Sequence, residues 1–217
     1  MQRNVLDAQL ADIKQQLQAM GEQVRSALQQ ALASLQQGDA AQARQVVDGD
    51  AGINRMEHEL EERCIRLIAT QQPVAKDLRK VTAALRIAGE LERMADLAVD
   101  IARAVIRQQP SPADPVMPDI LRMAAVVEEM IRQALVAYVN EDLAAARNLA
   151  VLDDEADRLY RGILEELFSR RPDDQGRIAQ AMAFAFIGRY LERMGDHATN
   201  VGEGVVYIHS GERIDLN

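Results

Sequence analysis

The chain has 217 residues, enough for one helical domain or for two of about 100 residues each. A formal net charge of −9 argues against general nucleic-acid binding, which depends on basic patches, and leaves cations or a basic protein surface as partners. Hydrophobic residues make up 48% and aromatic ones 3%, with six Pro and twelve Gly, a mixture that favours long helices over sheet.

In the first stretch, residues 5–37, apolar side chains recur at Leu10, Ile13, Leu17, Met20, Val24, Leu28, Ala31 and Leu35. Steps of three and four predict one long amphipathic helix. Gly38-Asp39 supplies a stop and then an N-cap. A second helix follows to about Thr70, with Val46, Ile53, Met56, Leu60, Cys64 and Leu67 inward, until Gln72-Pro73 breaks it. The third runs from about Val74 to Arg107 on Val81, Leu85, Ile87, Leu91, Met94, Ala98, Ile101 and Val105. Residues 109–118 hold four of the six prolines and read as a semi-rigid linker.

Beyond the linker the plan restarts. Ile120, Met123, Val127, Met130 and Ile131 match Leu17, Met20, Val24, Ala27 and Leu28 at a constant offset of 103. Asn140-Glu141-Asp142 then falls on Gln37-Gly38-Asp39, Asp153 on Asp50, and Asp157 on Asn54. After a shorter loop at Arg171-Pro172-Asp173-Asp174 the offset becomes 100. The expected fold is therefore all-α: two tandem three-helix bundles from an internal duplication, over residues 1–108 and 119–217.

At the shorter offset Leu91-Glu-Arg-Met-Ala-Asp96 superposes on Leu191-Glu-Arg-Met-Gly-Asp196. Each copy continues four residues on, giving the ladders Glu92–Asp96–Asp100 and Glu192–Asp196–Asn200. Like charges stacked at this spacing disfavour a helix by roughly 0.2–0.5 kcal/mol per pair. Helical geometry sets both ladders opposite the apolar stripe, on the outside of a bundle. The second helices offer shorter ladders, Asp50–Asn54 and Asp153–Asp157, beside their apolar stripes. Each pair of helices then carries four carboxylates, so neither site outbids the other on charge. Together they would make two shallow oxygen-lined sites for hard divalent cations or oxygen-ligated iron.

A lone Glu-xxx-Asp is ordinarily a solvated face, and Arg93 or Arg103 could neutralise the stripe. The case for a cation rests on the two halves, which differ at most positions yet keep this motif. His58 could extend the Asp50–Asn54 ladder, although a surface imidazole is the plainer reading. Cys64 falls on an apolar stripe as an inert thiol, and a lone cysteine fits a reducing cytosol. No signal peptide, no apolar run of membrane-spanning length and no Gly-rich phosphate loop is visible, so membrane association would go through a partner. No Glu lies three residues before a His, which counts against ferritin-like di-iron oxidases.

Three phrases, Leu191-Glu-Arg-Met-Gly-Asp-His-Ala-Thr-Asn200, Gly49-Asp-Ala-Gly-Ile-Asn54 and Gln72-Pro-Val-Ala-Lys-Asp-Leu-Arg79, together with the duplicated unit, resemble the PhoU family over about residues 5–209. Ala95 stands where the family usually has Gly, and Asn54 and Asn200 place amides where carboxylates are expected. The resemblance implies a bacterial cytoplasmic, non-enzymatic regulator of phosphate uptake. Such proteins couple a phosphate ABC transporter and its ATPase to a sensor histidine kinase and act as negative regulators when phosphate is plentiful. It also implies metal ions at the surface carboxylate clusters and a homodimer. The competing expectations are a metal-dependent enzyme using clustered carboxylates, and an inert helical scaffold.

Overall fold

The periodicities translate into six helices in the computed structural model, which describes residues 2–169 and 175–216. These are α1 Gln2–Gln37, α2 Ala40–Gln71, α3 Ala75–Gln108, α4 Met117–Asn140, α5 Leu143–Ser169 and α6 Gln175–Ser210. The loop expected at 171–174 lies outside the described residues. Pro118 belongs to the first turn of α4, where a missing N–H and a fixed φ cost nothing, so that helix begins inside the stretch expected as linker. Among the described residues no helix is long and apolar enough to cross a membrane.

The duplication is visible in the caps. Asp39 accepts hydrogen bonds from Ala41 N (2.8 Å) and Gln42 N (3.1 Å), and Asp142 does the same for Ala144 N (2.9 Å) and Ala145 N (3.1 Å). Such caps satisfy amides that a helix start leaves without intrahelical partners.

Each half forms a three-helix bundle, and the bundles are packed against one another rather than strung apart. Glu90 meets His197 and Asn200, Ile87 meets the backbone of Gly204, and Arg79 Nε donates to Ile208 O at 3.1 Å, so α3 and α6 run antiparallel. A second contact joins α1 to α4. There Gly21 is so close to Leu135 that a Cβ would sit 2.4 Å from its Cδ2, so a larger residue would force the Leu135 side chain to shift. The four helices α1, α3, α4 and α6 thus share a core, with α2 and α5 laid outside it.

This arrangement explains the composition of α3. Besides the expected stripe, Leu97, Val99, Ala102 and Ala104 are buried. A helix wrapped on two sides needs apolar residues on both, whereas α2 buries a single stripe of Ala43, Val46, Ile53, Leu60, Cys64 and Leu67.

Candidate metal centres

The two ladders of each half face one another across the groove between outer and third helix. In the first half Asp50 and Asn54 of α2 are half-buried, and Asn54 Nδ2 donates to Asp50 Oδ2 at 3.1 Å. Glu92 and Asp96 on α3 face them. Burial and then the charges of Asp96, Glu57 and Asp50 raise the Glu92 carboxyl above its ordinary range. Burial, Asp50 and Asp100 do the same to Asp96. Asp50 Oδ1 and Asn54 Oδ1 are buried without a hydrogen-bond partner, two oxygens aimed where a donor or a cation belongs.

In the second half the clash is sharper. Burial, reinforced by Asp196, Asp157 and Glu192, pushes the Asp153 carboxyl up to about 7. Glu192 and Asp196 are raised as well, first by burial. Gly195 lies beside the cluster: a Cβ there would lie 3.4 Å from Asp153 Oδ1 and 3.4 Å from Met130. Glu192 Oε2 is buried without a partner, while its Oε1 is bound by Arg189 Nη1.

The third-helix ladders do not stand on the outside of the molecule as expected. Glu92, Asp100, Glu192, Asp196 and Asn200 are half-buried and only Asp96 is exposed: Glu92, Glu192 and Asp196 lie in the groove against the outer helix of their own half, and Asp100 and Asn200 turn toward the other bundle. The C-terminal end of each ladder reaches that seam. Asn200 Nδ2 donates to Glu90 Oε2 at 3.0 Å, beside His197 Nδ1 at 2.7 Å from the same oxygen. Asp100 pairs with Arg103 at 3.0 Å and lies near the Tyr190 phenol. Asp157 is exposed, on the rim of its cluster.

Two neighbours escaped the sequence reading. Glu57 contributes negative charge to the first cluster, and Tyr160, at the same place in the repeat, lies near Glu192 in the second. Their signal was the constant offset of 103, which pairs them, but nothing in their types marked them as site residues. Among the described residues, Glu57, His58 and Glu61 alone bring three candidate ligand atoms within 4.8 Å of one another. His58 itself is exposed, with Nδ1 2.8 Å from Glu57 Oε2. Cys64 is buried, and burial pushes its thiol up to about 11, so it stays protonated and inert.

A protein-family model described as the PhoU domain matches this chain twice, over residues 17–105 and 120–205. The chain belongs to the PhoU family. It is 35% identical over 218 residues to a phosphate-specific transport system accessory protein PhoU homolog of Clostridium acetobutylicum, covering 100% of both chains. A PhoU homolog of Zymomonas mobilis is 37% identical over 96% of this chain and 88% of its own. The crystal structure of PhoU from Pseudomonas aeruginosa superposes with a TM-score of 0.88 at 33% identity, over 95% of this chain and 99% of that one. The phosphate transport system regulatory protein PhoU from Streptococcus pneumoniae gives 0.89 at 28% identity, over 97% and 99%. The two matched PhoU repeats end in α3 and α6, each just past its Leu-Glu-Arg-Met motif, so each carboxylate centre is built within one PhoU domain.

Proposed function

We propose that this chain is a non-enzymatic, cytoplasmic regulator of phosphate uptake and of phosphate-starvation signalling. In this reading it couples a phosphate ABC transporter, through the ATPase, to a phosphate-sensing histidine kinase, and works as a homodimer that restrains starvation genes while phosphate is plentiful. The observation that carries the reading is the pair of PhoU domains matched along nearly the whole chain, in full-length alignment with accessory proteins of phosphate-specific transport systems.

Metal ions belong to the same proposal. Asp50, Asn54, Glu92, Asp96 and Asp100 would hold one centre, and Asp153, Asp157, Glu192, Asp196 and Asn200 the other. The residues fit a hard cation: the donors are oxygens, three of those oxygens are buried without partners, and Glu92, Asp96, Asp153, Glu192 and Asp196 are held above their ordinary range first by burial and then by neighbouring carboxylates. A bound cation would supply the missing counter-charge and tie the outer helix to the third helix of its bundle.

The regulatory reading is tested by deleting the gene and following a phosphate-starvation promoter in phosphate-rich medium. Constitutive transcription is expected. Unchanged transcription together with normal phosphate uptake would leave an inert scaffold as the better account.

A further inference from the structure

Of the 25 basic residues only three are lysines, Lys14, Lys76 and Lys80, and all three meet at one end of the shared four-helix core. Lys76 Nζ and Lys80 Nζ lie 2.8 Å and 2.5 Å from the Glu141 carboxylate. Lys14 and Lys80 line a hollow of about 240 Å³, set between the first turns of α1 and α3 and the last turns of α4 and α6. Leu10, Ala11, Ile13 and Ile208 give it an apolar wall, and Tyr138 reaches it from α4.

The duplication shows the same end of the core when it is closed. At the offsets of the repeat, Tyr138 falls on Leu35, Glu141 on Gly38, Lys14 on Met117 and Lys80 on Gln180. There Leu35, Val116 and Met117 are buried, and residues 109–116 close the end. Ser111 N donates to Gln180 Oε1 at 2.6 Å, Gln180 Nε2 donates to Gln109 O at 3.2 Å, and Pro112 stands 3.5 Å from where a Cβ on Gly38 would lie. The end with the lysines has no such crossing segment among the described residues. It carries polar side chains where the closed end has apolar or small ones.

Every carboxylate around the hollow is already engaged. Arg3 pairs with Asp7 at 3.2 Å and with Asp77 at 2.7 Å, and Glu141 holds Lys76 and Lys80. Two donors are left over. Lys14 is half-buried and has no ion pair or hydrogen bond among the described residues. Tyr138 is 7% exposed, and its hydroxyl likewise has no hydrogen-bond partner among the described residues. Burial raises this phenol above its ordinary range, so the oxygen keeps its proton and remains a donor. A buried hydroxyl left unpaired is unfavourable, and one that lines a hollow points to a group able to accept from it.

Donors without acceptors require an anion. One spare ammonium beside three carboxylates attracts one negative charge and disfavours a second, which fits a doubly charged phosphate poorly. The apolar wall requires a hydrocarbon body. At roughly 30 Å³ per water-sized group, the volume admits on the order of eight heavy atoms. We propose that the hollow binds a small organic monocarboxylate, with its acid group on Lys14 and the Tyr138 hydroxyl and its aliphatic body on Leu10, Ile13 and Ile208. This inference is independent of the phosphate reading and uses none of the metal-centre residues.

The test titrates the full chain with isocaproate, with the uncharged isocaproamide and with inorganic phosphate, followed by ligand-observed NMR. Isocaproate is expected to bind with a Kd of about 1 mM or tighter, and the amide at least about tenfold more weakly. Phosphate at equal concentration should not displace isocaproate. Lys14→Met keeps the stem and removes the charge, and should weaken binding by about tenfold; Tyr138→Phe removes only the hydroxyl, and should weaken it by about fivefold. Arg44→Gln, exposed at the far end of α2, should change it by less than about twofold. Thermal melts establish that the variants are folded. Peptide-resolved acetylation is the second readout: isocaproate should protect Lys14 and leave Lys76, outside the hollow, as reactive as before. The proposal is overturned if isocaproate does not bind, if its amide binds as tightly, if phosphate displaces it, or if Lys14→Met and Tyr138→Phe bind as wild type does. Binding that leaves Lys14 acetylation unchanged would put the ligand elsewhere and overturn it equally.

Discussion

At Glu141 a residue with a side chain adopts φ +51°, where its counterpart in the repeat, Gly38, has φ +64°. The left-handed region costs an ordinary L-residue roughly 1–2 kcal/mol, a penalty that glycine escapes. The offsetting contacts come from the other half of the chain: Lys76 Nζ lies 2.8 Å and Lys80 Nζ 2.5 Å from the Glu141 carboxylate. Burial works to raise this carboxyl, but the hydrogen bonds and charges of the two lysines outweigh it and hold it at about 2, below its ordinary 4.5. A depressed carboxyl stabilises the fold fully above its unfolded value, and the contribution is lost as pH falls from about 4.5 towards 2. Glu141→Gln should therefore cost about 1 kcal/mol at neutral pH after allowance for solvent screening. That gap should close as the pH of thermal melts is lowered through this window; a gap independent of pH would assign the effect to shape instead. Sequence alignment identified the turn and Asp142 as its cap. The lysines were not legible, because they act across the packing of one bundle on the other.

At the scale of helices, the amphipathic stripes of α1, α2 and α4 were readable because each has one buried face. The third helices were legible in part: the stripe of Val81, Ile87, Leu91, Met94, Ala98, Ile101 and Val105 is buried as expected, but a helix buried on two sides carries a second apolar face that one stripe does not reveal. That is why Leu97, Val99, Ala102 and Ala104 were not assigned to a packing surface. The seam they conceal contains Glu90, which accepts from Asn200 and contacts His197 while its own side chain is 14% exposed. Burial raises the Glu90 carboxyl, but its bonds to His197 and Asn200 outweigh that and keep it low, hence ionised. Glu90→Ala should leave an imidazole and an amide without their acceptor inside the seam, at a cost of about 2–3 kcal/mol. Urea unfolding measures this, and a loss below about half a kcal/mol would mean that water replaces Glu90 there.

At the scale of the molecule, the tandem units were legible from two constant offsets, and their mutual packing was not. We propose residues 109–118 as the boundary between them. Ser111, Pro112, Ala113 and Pro115 are exposed, so limited proteolysis should cut there early, yet the fragments should co-elute because α3–α6 and α1–α4 still bind them together. Separation of the nicked halves on a sizing column would contradict the shared core. The two centres, with four carboxylates each, differ in which one an arginine takes: Arg189 binds Glu192 where the first half has Gly89. In the first centre Arg103 pairs with Asp100 instead, so each centre keeps one arginine-bound carboxylate and three others, and the two should lose their ions together. The most direct measurement is metal content by mass spectrometry, with thermal melts in and out of chelator, for wild type and for Asp96→Asn/Asp196→Asn. Wild type should carry metal and melt higher with it, since a ligand of the folded state alone stabilises that state, and the double variant should lose both. Equally little metal in both proteins, with the variant melting a few tenths of a kcal/mol more stably as like-charge repulsion is relieved, would make the ladders solvated surface and the metal centres wrong.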